Sequence, residues 1–187
     1  VTFSGVNSTP PMLACLLAKR AYDFDFVYIN VAGGVQPTPT TIPISSSDPA
    51  LSQGSTSIFA NEDFYDLCTR GGMDLCFLGA AQVDGLGRTN VSAIGDWHNP
   101  KVRLPGGGGA PEIATSCHEV FITMAQGKRA FVDKLDFVTS LGHGDGKGSR
   151  EKLGVTTKGP TRVITDLCLM EPDPETKELT VVALHPG

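Results

Sequence analysis

No uninterrupted apolar run in this chain approaches the roughly 20 residues that a bilayer-crossing helix needs. Nor is a signal peptide visible in the sequence. Cations are in deficit too: 15 Lys and Arg stand against 20 Asp and Glu, for a formal charge of -5. That balance argues against nucleic acid, and against an anionic membrane, as a partner. The five cysteines (Cys15, Cys68, Cys76, Cys117 and Cys168) are odd in number, scattered, and form no C-x-x-C pair. This pattern excludes a disulfide framework and a cysteine-based zinc site, and it predicts reduced thiols in a cytoplasmic protein. There is no internal repeat and no linker-like stretch. At 187 residues and 40% hydrophobic, the chain suits one sizeable core.

What is present is alternation. Val1 to Ser4 reads as a strand, then Gly5-Val6-Asn7 as a turn. Ser8, with Pro10 and Pro11 after it, reads as a helix start. Met12 to Ala21 is apolar on nearly every side, which predicts a helix buried between layers, with Lys19 and Arg20 in its last turn. Phe24 to Val31 reads as a second strand, ended by Ala32-Gly33-Gly34. Gln36 to Gln53, rich in Pro, Ser and Thr, is a long loop: a lid or substrate-side wall, or a surface packed on another subunit. Asn61 to Arg70 is a short crossover helix with Phe64, Leu67 and Cys68 toward the core. The apolar run Leu75 to Ala81 lies between turn residues and reads as a strand buried on both faces. Cys117 to Met124 is another strand. Leu141 to Gly148 is a flexible glycine-rich loop that lacks P-loop spacing. Thr161 to Met170 and Leu179 to Leu184 flank a polar turn as a terminal hairpin. The expectation is α/β: a single domain with a mainly parallel sheet flanked by helices.

The stretch from Cys76 to Ala114 organises the rest. Its strand leads into the polar turn Asp84-Gly85-Leu86-Gly87-Arg88-Thr89-Asn90 and the short apolar segment Val91 to Ile94. Asp96-Trp97-His98-Asn99-Pro100-Lys101 follows, and then four glycines, Gly106 to Gly109. Pro111 and Glu112 look like the first turn of a helix. A glycine loop in this position offers backbone N–H groups to a developing negative charge. The pieces LGAAQVDGLGRTN, IGDWHNPKVR and PGGGGAPEIA resemble the β subunit of family I CoA-transferases, in particular the glutaconate CoA-transferase branch. The likeness runs from Ala18-Lys19-Arg20 through Phe137-Val138-Thr139-Ser140 to Leu184-His185-Pro186-Gly187. It implies one β-type domain over residues 1–187, without the helix that normally precedes it in the family. It further implies an α-type partner chain in a heterodimer or heterotetramer, and an acyl-CoA substrate. Coenzyme A would enter as part of that substrate, with no permanently bound cofactor and no metal.

The resemblance also locates a departure. The family carries a nucleophilic glutamate at the end of the second strand, and ungapped alignment through Ala18-Lys19-Arg20 and Gly33 puts that position at Val31. The carboxylate attacks a thioester, forms a glutamyl anhydride and then holds CoA as an enzyme thioester; valine can do none of this. The neighbours Asn30 and Ala32 do not help, and Asp23 and Asp25 sit at the opposite end of the strand. The glycine loop implies oxyanion-type donors at the N–H groups of Gly108, Gly109 and Ala110, with Gly106 and Gly107 approaching the substrate. Gln82, at a strand's C-terminal end, either hydrogen-bonds an acyl carbonyl or closes the turn. Asp84 caps that turn through its own backbone. His98, between Asp96 and Pro100, is read as a loop-ordering residue rather than a general base, and Lys128-Arg129 as a solvated pair. Three functions stay open: a CoA-dependent enzyme diverged to C–C cleavage, decarboxylation or hydrolysis; a true transferase with its carboxylate elsewhere; or a non-catalytic scaffold subunit.

Overall fold

Five short segments lie side by side and parallel at the centre of one nine-stranded sheet. In chain order they are β1 (Thr2–Ser4), β2 (Tyr28–Asn30), β5 (Leu75–Leu78), β10 (Glu119–Thr123) and β11 (Pro160–Ile164). Beyond β2 come β3 (Gly34–Val35) and β4 (Ser57–Ile58), and beyond β11 come β12 (Cys168–Pro172) and β13 (Leu179–Leu184). These outer strands pair antiparallel, so the order across the sheet is β13-β12-β11-β10-β5-β1-β2-β3-β4. Two small hairpins stand apart, β6 (Gln82–Val83) with β7 (Thr89–Asn90), and β8 (Ala93–Gly95) with β9 (Pro100–Arg103). The helices are α1 (Thr9–Tyr22), α2 (Asn61–Thr69), α3 (Ala110–Ser116) and the single turn α4 (Ser149–Lys152). This computed structural model describes residues 1–5, 9–22, 24–45 and 47–186, so the turn at Val6-Asn7, the Ser8 cap, Asp23 and the terminal Gly187 lie outside the described residues.

Side-chain alternation along β5 separates two layers. Cys76 and Leu78 join Phe64 and Cys68 of α2, and Ile113 and Ala114 of α3, in the larger core. Phe77 joins Met12 and Cys15 of α1, with Tyr28 and Leu51, in the smaller one. Phe3 stacks on Phe64 with ring centroids 3.9 Å apart, tying β1 to α2. All five cysteines are buried and unpaired.

Four expectations are corrected. Helix α1 buries only Pro11, Met12 and Cys15, while Leu13 and Leu17 are 38% and 57% exposed. Among the described residues its outer face meets no second layer; across a cavity of about 670 Å³ it looks onto the loop Gln36–Pro43, with Gly54 and Thr56. That loop therefore stands beside α1 and is absent from the wall around the glycines. The second strand is shorter than its apolar run, because β1 begins opposite Tyr28; Phe24 and Val27 remain exposed. The terminal hairpin is a three-stranded meander, because Thr165 turns the chain by accepting from the N–H groups of Leu167 and Cys168 through its hydroxyl.

The glycine-rich loop at 141–148 is built rather than loose. Gly142 (φ +55°) is packed so closely that a Cβ would stand 2.4 Å from the Arg88 nitrogen. Arg150, 5% exposed, donates to the carbonyls of Gly142 (2.7 Å), Ala114 (3.1 Å) and Thr157 (3.1 Å). It also donates to the Thr157 hydroxyl, which in turn donates to the Thr115 carbonyl. One guanidinium thus ties the loop to the last turn of α3.

Candidate active site

The C-terminal ends of β2, β1, β5 and β10 open into a cavity of about 640 Å³, the place where parallel α/β sheets present ligands. Val31 lines it directly after β2, Gly79 to Ala81 after β5, and Met124 after β10; Gly106 to Ala110 line it as well. The structure thus places Val31 and the glycines around one cavity.

The glycine loop is held from behind. Gly106 donates its N–H to the Val91 carbonyl (2.8 Å), and Leu104 to that of Ser92 (3.0 Å). Ser92 is fixed in turn by the Asn90 side-chain oxygen and the Thr139 hydroxyl, at 2.9 and 2.8 Å. Gly106 and Gly108 adopt φ of +95° and +49°, the left-handed region that glycine enters without strain. At Gly109 the reason for glycine is different: a Cβ would stand 2.3 Å from the Tyr65 hydroxyl.

The N–H groups of Gly108 and Gly109 donate to no acceptor among the described residues. The third expected donor is spent, since Ala110 donates to the Gly107 carbonyl at 2.8 Å, closing the turn that starts α3. Gln82 is engaged as well. Its amide donates to Asp136 (2.7 Å) and its carbonyl accepts from Asn90 (2.7 Å), so neither end reaches the cavity. It acts on the site through Asn90, which holds the segment leading to the glycines. Asp84 caps its turn as expected, accepting from the N–H groups of Leu86 and Arg88 and from the Arg88 side chain. His98 is exposed and outside the cavity, in a loop ordered by Asp96. Lys128 and Arg129 are exposed.

No Asp, Glu, His, Cys, Lys or Arg lines the cavity among the described residues. Asn30, next to Val31, uses its amide on the carbonyls of Gly34 and Leu51, and Asp25 is exposed at the far end of β2. The nearby thiols are withheld: burial pushes Cys68 up to about 12, and a hydrogen bond with Cys117, together with burial, pushes Cys76 up as well. Among the described residues no three His, Cys, Asp or Glu side chains gather closely enough to hold a metal ion. Tyr65 was missed by sequence reading. It lines the cavity from α2, 44 positions before the residue it touches, and only the packing of α2 against α3 brings the two together.

A parallel-centred sheet with its cavity over the strand ends and a glycine loop across it is the layout of an α/β enzyme domain. The chain belongs to the coenzyme A transferase family, whose model matches residues 1–187, and within it to the β-type subunit. It is 45% identical over 188 residues to the β-type subunit of 3-oxoadipate CoA-transferase from Pseudomonas knackmussii, covering 100% of this chain and 72% of that one. It is 35% identical to the β-type subunit of glutaconate CoA-transferase from Acidaminococcus fermentans, over 97% of this chain and 70% of that one. The crystal structure of that glutaconate enzyme superposes with a TM-score of 0.88 at 33% identity, over 99% of this chain and 73% of the other. The decarboxylase AibA/AibB superposes with a TM-score of 0.83 at 26% identity, over 99% and 70%. Among the described residues no helix is long and apolar enough to cross a membrane.

Proposed function

We propose that this chain is the β-type half of a heteromeric enzyme acting on an acyl-CoA thioester, diverged from CoA transfer to C–C cleavage, decarboxylation or hydrolysis. The supporting observation is the cavity itself: Gly108 and Gly109, whose N–H groups are unspent, line it together with Val31, and no carboxylate lines it among the described residues. Breaking a C–C bond on the carbon next to a thioester carbonyl sends the electron pair toward the carbonyl oxygen. Attack by water puts charge on the same atom. In both reactions, backbone donors fixed before the reaction stabilise that oxygen most in the transition state. Ping-pong transfer needs more, a carboxylate to carry the acyl group and then CoA. The acid or base that moves the proton comes from the α-type partner in this reading. The resemblance to a decarboxylase fits it.

The 45% identity to a CoA-transferase subunit favours a second reading, transfer through a carboxylate of this chain. A covalent trap separates the two. The two-chain complex is incubated with candidate acyl-CoAs, treated with borohydride, and its peptides mapped by mass spectrometry. The expected outcome is no reduced adduct on any Asp or Glu of this chain and no labelled CoA passed to acceptor acids. A reduced adduct here would establish transfer.

A further inference from the structure

We propose that the Tyr65 hydroxyl is a third hydrogen-bond donor to the thioester oxygen, beside the N–H groups of Gly108 and Gly109, and is therefore a catalytic residue. This rests on the acyl-CoA reading above and adds a side chain to it. Phe64 anchors the position. It is 4% exposed, stacked on Phe3, and in edge contact with the Tyr65 ring at 5.1 Å between centroids. The next residue along α2 is thereby turned toward the cavity, where Tyr65 is 38% exposed. Its hydroxyl has no hydrogen-bond partner among the described residues, and it touches Gly109 so closely that no Cβ fits between them. It is the one ionisable side chain in an otherwise largely apolar wall among the described residues. Phenylalanine would supply the same packing, so the phenol adds one thing, a donor against Gly109. Gly109 then has two uses: its N–H remains available, and its missing side chain admits the hydroxyl.

Tyr65→Phe in the two-chain complex removes the donor and keeps the ring against Gly109. The expected result is a kcat lower by about 100- to 1000-fold, the range for losing one oxyanion donor. KM, affinity for free CoA (which carries no acyl oxygen) and the thermal midpoint should stay within error of wild type. A kcat within twofold of wild type overturns the proposal, and so does a rise in KM alone, which would mark uniform binding. The result is independent of the borohydride experiment. A carboxylate adduct in this chain would remove the diverged-enzyme reading, yet transfer also passes through an oxyanion, and Tyr65→Phe would still decide the role of the hydroxyl.

Discussion

In the proposed reading Val31 is the residue on which the chemistry turns, and a gain-of-function substitution tests it more sharply than a loss. Val31→Glu places a carboxylate just after β2, in the cavity that Gly108 and Gly109 also line. With an acyl-CoA, it is expected to yield a borohydride-reducible adduct at position 31, read by peptide mapping, where wild type yields none. Gly108→Val is expected to lower turnover by about two orders of magnitude. The space around Gly108 is open, so the cost comes from φ +49°, which a β-branched residue resists, and the loop must shift its N–H groups to relieve it. Steady-state kinetics with an unchanged unfolding midpoint would separate this from general destabilisation. That Val31 ends a strand and lines the cavity could be anticipated from its spacing to Ala18-Lys19-Arg20 and Gly33; its place as the family's nucleophile position is part of the proposal. Gln82 and Ala110 were misread in use, because whether a polar group is free depends on which neighbours claim it: Asp136, 54 positions away, takes Gln82, and the tight turn back to Gly107 takes the Ala110 N–H.

Among the elements, β5 and α2 followed directly from their apolar patterns, whereas α1 did not. An all-round apolar helix reads as buried between layers, but periodicity cannot tell whether both layers belong to the same chain. Arg150 shows another limit, since a lone arginine after glycines reads as surface yet is buried on three carbonyls. Arg150→Ala leaves those acceptors without their donor and should cost about 3 kcal/mol in urea unfolding, with Arg150→Lys recovering only part because an ammonium lacks the fork. Next to it, His143 donates Nε2–H to the Pro160 carbonyl at 2.7 Å. Burial holds its pKa below the ordinary value, helped by Arg150 and Lys177 and opposed by the Pro160 bond and Glu151. The folded chain thus binds fewer protons there than the unfolded one. Its contribution is complete above about pH 6.5 and is lost as pH falls toward and through the lowered value. His143→Gln should flatten the fall in urea midpoint between about pH 7.5 and pH 5.5.

At the scale of the whole molecule, a parallel centre was readable from continuous apolar runs and the β12–β13 hairpin from its polar turn, while β3 and β4 at the other edge, two residues each, and the tight turn at Thr165 carry no such pattern. The proposed division of labour predicts that co-expression with an α-type chain gives a complex eluting ahead of this chain alone on size exclusion, and that acyl-CoA turnover needs both. Turnover by this chain alone would refute it. The five buried sulfurs have a use outside catalysis. In the folded state a water-soluble alkylating reagent finds no access to any of them, and at Cys15 and Cys68 burial also pushes the thiol up to about 12. Every labelling event therefore counts an opening of the fold. Cys15 lies in the smaller cluster under a half-covered helix and Cys76 in the central strand, so a timed alkylation pulse should mark Cys15 first and Cys76 only when the sheet itself comes apart.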